Sequence, residues 1–343
     1  MANNIDSSQP RELSVIMCVY NGEAFLTEAV DSVLAQTYAS FEFIVVNDGS
    51  TDHTAAILAS FTDPRMVVIT NATNLGLIRS LNIGLGAATG TFIARMDADD
   101  ICRPERFEKQ LAFFKQHPEV GLCGTWLQII GDDSQYTFPL THEEIKLALL
   151  DYNPIAHPSV MFRSKVLKEA GLTYDPGFPG AEDYELWTRA IFGTKFANIP
   201  ETLLLYRRHG QQVTQSLQQT MESTSGKIKL RLPLALGIHP DERESTVHLF
   251  LFNGQFKELK GLNILEEADA WLHKLVAANR LFNQFRESDL LALWKTKLLV
   301  TCIDRYDLRI WAALRRSRCF EWAPGTIGER SKLFIKCLLR ISV

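Results

Sequence analysis

Residues 41–70 read FEFIVVNDGSTDHTAAILASFTDPRMVVIT, and the order of patterns inside them decides the fold. FEFIVVND at 41–48 is an apolar, β-branched run of strand length. Ser50 and Thr51 are capping residues that open a helix, and MVVIT at 66–70 is a second strand. The pattern repeats outward in both directions. Upstream, LSVIMCVY at 13–20 is a strand, and the stretch 23–36 carries Phe25, Leu26, Val30, Val33 and Leu34 at helical spacing. Downstream, a helix over 77–88 leads into the strand TFIARMD at 91–97. Strands alternating with helices at this spacing predict an α/β domain, a Rossmann-like, mostly parallel sheet with helices on both faces.

In such sheets the ligand-binding residues stand at the carboxyl ends of the strands. Here those ends are Tyr20-Asn21-Gly22, Asp48-Gly49-Ser50 and Asp97-Ala98-Asp99. Beyond Pro104 a helix to about Gln116 precedes an apolar strand near 120–130. The pattern then loosens through NPIAHPSVMFR, a helix near 182–192 and LLLYRRH at 203–209, which reads as mixed α+β. From about Ser216 strand signals fade, and amphipathic stretches such as EEADAWLHKLVAANRLFNQF at 266–285 make 219–343 a helical region.

The 343 residues carry a formal net charge of −4 and 22% charged residues, which gives no global pull toward nucleic acid. The charge is uneven: residues 305–343 hold nine basic against three acidic residues. The six cysteines include no CxxC pair and several lie in apolar runs, which fits a reducing, cytoplasmic compartment. MANNIDSSQPRE lacks the basic start and apolar stretch of a signal peptide, and no window has the ~18 apolar residues of a membrane span.

The polar strand ends carry the candidate chemistry. Residues i and i+2 of an extended chain point to the same side, so Asp97 and Asp99 aim together, and two like charges side by side invite a cation. Hard Mg²⁺ or Mn²⁺ prefers such oxygens and completes its shell with phosphates and water. The same string serves equally as a turn with helix-capping aspartates, and Asp100, facing the other way, reads as structural. Asp48 can accept a hydrogen bond from a nucleobase ring or close an Asx-turn. Tyr20 can stack on that base or simply pack. Glu182 and Asp183 open a helix, where acidic residues complement the dipole; in a desolvated pocket one of them can act as general base. His209 can reach a metal or diphosphate, and His157 is equally open, but no HExxH, zinc or GxGxxG pattern exists at the expected place.

Taken as an ordered set, SVIMCVYNGEAFL, FEFIVVNDGSTDHT, NLGLIRSLNIGLGAATGTFIARMDADDICRPERFEKQ, HPSVMFR, AEDYELW and LLLYRRH resemble the family 2 glycosyltransferases of GT-A fold, especially bacterial enzymes of O-antigen, capsule and surface-polysaccharide synthesis. The resemblance covers about 12–215. It implies a tail over 1–11, a catalytic domain over 12–218 with a nucleotide-binding half (12–100) and an acceptor-binding half (101–218), and the helical region 219–343.

It also implies an inverting, metal-dependent transfer from a nucleotide-diphosphate sugar, often a UDP-sugar, to a saccharide or lipid-linked saccharide hydroxyl. Tyr20, Asp48 and Arg79 would hold the donor with Asp97 near the ribose, and Asp99, with Asp97 and His209, would hold Mn²⁺ or Mg²⁺. Asp183 matches the catalytic base and Glu182 its acceptor-side neighbour; Trp187, unless it is simply core, and His157 fall on the acceptor side. Two departures stand out. Relatives usually have proline at Cys18, which bears on loop stiffness, and many have a second aspartate at Asn47, which leaves base recognition to Asp48 alone.

The competing readings are a non-catalytic sugar-nucleotide-binding scaffold and a nucleotidyltransferase. The latter expects a glycine-rich basic loop where this chain has YNGEAFL. The partners expected are therefore a sugar nucleotide and a saccharide acceptor, not nucleic acid. GERSKLFIKCLLRI at 328–341 mixes basic and apolar residues, which suits either a contact with the inner face of the membrane, where lipid-linked acceptors reside, or equally an amphipathic helix packed on its own domain.

Overall fold

The computed structural model describes residues 11–132, 134–210, 218–253 and 264–303. The chain divides into two compact units, Met1–Thr224 and Ser225–Val343. The first half of the first unit runs β1 (Leu13–Val19), α1 (Leu26–Leu34), β2 (Phe41–Asn47), α2 (Thr54–Ser60), β3 (Met66–Thr70), α3 (Leu77–Ala87) and β4 (Phe92–Asp97). Its second half runs β5 (Ile101–Cys102), α4 (Arg106–Gln116), β6 (Val120–Ile129), β7 (Gln135–Tyr136), α5 (His142–Ala148), a 3₁₀ turn (His157–Ser159), β8 (Met161–Arg163), α6 (Ser164–Ala170), α7 (Glu182–Ala190) and β9 (Lys195–Tyr206).

The strands form one sheet in the order β3-β2-β1-β4-β8-β6-β9-β5, with β7 on β6. The long pairings, β1 with β2 and β4, β2 with β3, and β6 with β9, are parallel. The short ones through β5, β7 and β8 are antiparallel. Strand β1 is apolar almost throughout because both its faces are covered. Leu13, Val15, Met17 and Val19 join the core formed with Leu26, Ala29, Val30 and Val33 of α1 and Phe107, Leu111 and Phe114 of α4. Ile16, on the other face, meets Gly84 of α3, where an added Cβ would collide with the Ile16 side chain. A glycine there lets the helix lie close on the sheet.

The register sets the site. Val19 pairs with Asn47 and Cys18 with Asp97, so Tyr20, Asp48 and Asp97 emerge side by side at one edge of the sheet. Cys18 is an ordinary strand residue of β1, pairing with Val46 and Asp97. Burial pushes its thiol up to about 12, leaving it protonated and inert.

Sequence periodicity missed three features here. The helix expected over 23–36 starts at Leu26, because Gly22 carbonyl accepts from both Phe25 and Leu26 in a turn. The strand read at 203–209 is the second half of β9, which starts at Lys195 and passes Pro200 where its register with β6 shifts. Helix α5 went unread, although Thr141 and Glu144 form a complete capping box, a signal visible in THEE.

The second unit is helical: α8 (Gln218–Lys229) crosses into it, followed by α9 (Arg231–Ala235), α10 (Glu242–Asn253), α11 (Ile264–Phe282) and α12 (Glu287–Ile303). Helices α10, α11 and α12 pack together through Val247, Phe250, Leu251, Trp271, Leu272, Leu275, Leu290 and Trp294. Trp271 Nε1 donates to His248 Nδ1 (3.2 Å), so the His248 Nε2 proton faces the Lys229 carbonyl at 3.0 Å. Burial pushes the His248 imidazole down to about 4, so it is a neutral core residue. Among the described residues no helix is long and apolar enough to cross a membrane. The basic stretch 305–343 and GERSKLFIKCLLRI lie outside the described residues.

Candidate active site

The loops after β1 and β2 are bolted to each other. Asn21, at φ 50°, donates its backbone N–H to Ser50 Oγ (3.0 Å) and accepts from the Thr51 N–H on Oδ1 (2.8 Å); Gly22 N–H reaches Thr54 Oγ1 (2.9 Å). Asn47 Oδ1 accepts from Ser50 N–H (3.2 Å), so the residue that replaces a second aspartate closes this turn. Gly49 has φ +68°, and a Cβ there would run into the Thr73–Asn74 backbone. Tyr20 projects from this platform and is 48% exposed, open to a flat ligand.

Asp48 also braces the neighbouring loop. It is 3% exposed, and its oxygens accept from Asn71 Nδ2 (2.8 Å), Leu75 N–H (2.9 Å) and Gly76 N–H (2.8 Å). Burial pushes its carboxyl up, but the hydrogen bonds from Leu75, Asn71, Ser80 and Gly76 outweigh burial and hold it below its ordinary value. The bonds from Asn71, Leu75 and Gly76 make the carboxylate a brace for the 71–76 loop. That loop enters α3, from which exposed Arg79 projects without an ion pair among the described residues.

At the end of β4, carboxylate oxygens of Asp97, Asp99 and Asp100 lie within 4.8 Å of one another. Asp100, read as facing away, is instead fully buried in the same group. Its Oδ1 accepts from Arg207 N–H (2.9 Å), and its buried Oδ2 has no hydrogen-bond partner among the described residues. Arg207 Nε donates to the Asp99 carbonyl (2.8 Å), its guanidinium pairs with Glu28, and it lies over the Phe25 ring at 4.6 Å. This stitching brings the end of β9 beside the acidic loop. His209 Nε2 reaches Asp99 Oδ2 at 2.9 Å, with Phe25 packed on its ring.

Two donor atoms at that spacing match adjacent ligands about 2.1 Å from an octahedral ion, and an oxygen-rich set with one imidazole suits Mn²⁺ or Mg²⁺. Burial pushes the Asp97 carboxyl up to about 6 against the opposing pull of Arg95. Crowding of buried like charges, with an orphaned Asp100 oxygen among them, is what a cation would relieve.

Asp183 stands at the start of α7, held on both oxygens. Tyr184 N–H donates to Oδ1 (2.7 Å) and Asn153 Nδ2 to Oδ2 (2.7 Å). Burial pushes the carboxyls of both Asp183 and its neighbour up, Glu182 to about 7. Arg95 is 5% exposed and ion-paired with Asp97. It acts on both Asp97 and Asp183, lowering each.

His157 and Trp187 are both buried. Trp187 is fully buried between His157, Phe162 and Phe196, a core residue. His157 is 8% exposed and bonds Tyr174 OH through Nε2 (2.8 Å). Its Nδ1 lies 3.9 Å from Asp183 Oδ2, but burial and Arg95 push the imidazole well below its usual range, so a neutral ring backs the carboxylate there.

The sequence profile "Glycosyl transferase family 2" matches residues 14–170. An uncharacterized glycosyltransferase of Haemophilus influenzae is 39% identical over 231 residues, 63% of this chain and 72% of the relative. The chain is a family 2 glycosyltransferase. The O-antigen biosynthesis glycosyltransferase WbnJ of Escherichia coli is 32% identical over 226 residues, covering 63% of this chain and 87% of that one. Among solved structures, S. aureus TarS 1-349 in complex with UDP-GlcNAc aligns over 96% of this chain and 92% of its own, with TM-score 0.61 and 18% identity. That likeness is one of fold, and the sheet of this glycosyltransferase is the GT-A sheet.

Sequence reading missed four residues of the site. Arg95 lay inside a strand that read as apolar, Asn153 in a loop without pattern, and Arg207 beside the more conspicuous His209. Tyr174 is tied to α3 through Asn82, which donates to its carbonyl (2.9 Å) and accepts from its N–H (3.0 Å). Only the Arg95 position carried a signal: a cation two residues before Asp97 in a strand shares its face.

Proposed function

We propose that this glycosyltransferase moves a sugar from a nucleotide-diphosphate sugar, a UDP-sugar in our reading, to a hydroxyl of a saccharide or lipid-linked saccharide, with inversion, in building a bacterial surface polysaccharide such as O-antigen or capsule. The observation that carries this reading is the pair of acidic clusters, Asp97–Asp99–Asp100 and His157–Glu182–Asp183, whose Asp97 and Asp183 both feel the one buried Arg95. Tyr20 stacks on the base, Asp48 meets its ring N–H, and Arg79 faces the diphosphate. Asp99, Asp97 and His209 would hold Mn²⁺ or Mg²⁺, which neutralises charge on a departing diphosphate.

Asp183 takes the acceptor hydroxyl proton as that oxygen bonds the anomeric carbon and the carbon–phosphate oxygen bond breaks. Glu182, buried beside it and held up near 7, lies on the acceptor side. The name of WbnJ, an O-antigen biosynthesis glycosyltransferase, supports the polysaccharide product, and the UDP-GlcNAc bound in the TarS structure supports the donor class. A thermal-shift screen of UDP-, GDP- and dTDP-sugars, with Mn²⁺ and with chelator, tests it. One UDP-sugar should stabilise the protein only with metal; stabilisation by none, or equally under chelator, contradicts the reading and favours a non-catalytic scaffold.

The basic 305–343 segment is proposed to hold the enzyme peripherally at the cytoplasmic membrane face, because interfacial helices combine cationic and apolar residues in this way. The full chain should sediment with anionic vesicles and the chain truncated after Pro324 should not. Equal sedimentation of both ends this idea.

A further inference from the structure

We propose that Asn153 is a positioning residue for Asp183: its side-chain amide, locked in one orientation by its own loop, holds the Asp183 carboxylate in its working pose. The proposal rests on the reading of Asp183 as base. Asn153 Nδ2 donates to Asp183 Oδ2 at 2.7 Å across 30 residues of sequence. Its Oδ1 accepts from the Ile155 N–H at 3.3 Å, so the amide cannot flip without losing both bonds. The residue before a proline is confined to extended backbone, and Pro154 follows Asn153. Pro154 is itself held, because the Asn198 amide, 2% exposed, donates to the Pro154 carbonyl (3.0 Å) and to the Pro139 carbonyl (2.7 Å).

The other side is equally constrained. Tyr184 N–H fixes Asp183 Oδ1, and the Tyr184 hydroxyl donates to the Leu149 carbonyl (2.7 Å) at the end of α5, the helix that leads into the Asn153 loop. The carboxylate is thus gripped at both oxygens by elements that are also joined to each other. A carboxylate that accepts a donated N–H is favoured in its charged form, the form a base needs. The other groups facing Asp183 are Arg95 and Asp97 from β4, Glu182 beside it on α7, neutral His157 from the 3₁₀ turn and Tyr174. Of these and Asn153, Asn153 alone has a hydrogen bond to the Asp183 side chain among the described residues.

The test uses the full chain labelled with [¹³C]aspartate, with the Asp183 carboxyl resonance identified by its loss in Asp183→Asn. In Asn153→Leu the Asp183 titration should move upward by roughly one to two pH units, as expected for a lost hydrogen bond to a charge. Asn153→Asp, an isostere that keeps the Ile155 contact, should move it at least as far, because two carboxyls at this distance share a proton. A side chain that only packs the loop would change melting temperature and leave the titration in place. An unmoved Asp183 titration in the folded isostere overturns the proposal. The base reading fails by a different result, wild-type transfer by Asp183→Asn, so the two failures are distinguishable.

Discussion

Asp183→Asn is expected to lower turnover by about 10²–10⁴-fold while donor affinity stays near that of the unmodified enzyme, the usual loss for a general base. Asparagine keeps the shape and can still receive the Tyr184 N–H, but it cannot take a proton. The effect falls on turnover because Asp183 lies with Glu182 and His157, apart from the Tyr20–Asp48 platform. Burial raises the Asp183 carboxyl, so the base is protonated, and transfer lost, as pH falls through that raised value; transfer should rise again with pH above it. Calorimetry for donor and initial rates for transfer separate the two quantities. Undiminished turnover in the variant would remove Asp183 from the mechanism.

Asp99→Ala should weaken metal-supported donor binding by about 100-fold or more, because even partners outside the ligand shell cost roughly 10–100-fold in metal affinity. Asp99 offers an oxygen 2.9 Å from His209 Nε2, so its loss removes one donor of the pair and leaves the other without its neighbour. The Asp99 carbonyl still accepts from Arg207, and Arg207 still donates its backbone N–H to Asp100. The end of β9 should therefore keep its place, and the variant should fold. Titration calorimetry with Mn²⁺ and with chelator reads the result. Equal donor affinity in both proteins under Mn²⁺ would take Asp99 out of the metal site.

The sheet's parallel half was legible because β1, β2 and β4 are buried on both faces, and the more exposed edge strand β3 is still a β-branched run set off by helices of regular period. The second half of the first unit, from β5 to β9, was read less well. Strands β5 and β7 are two residues each, and β9 is interrupted by NIPET, too short or too irregular for a period to show. Of the candidate residues, Tyr20, Asp97, Asp99 and His209 stand where their strand ends put them.

The amino-acid sequence by itself determined the alternation of strands and helices, and with it the edge of the sheet where Tyr20, Asp48 and Asp97 emerge. That is local information, since the period of apolar residues states which face of an element is buried. Tertiary structure decided what each side chain does there. It turned Asp48 into a brace for the 71–76 loop, buried Asp100 among the acids and Trp187 in the core, and laid Asn153 on Asp183. Those outcomes depend on partners distant along the chain, such as Leu75 for Asp48 and Arg207 for Asp100. Only packing decides whether a polar side chain reaches water or a buried partner.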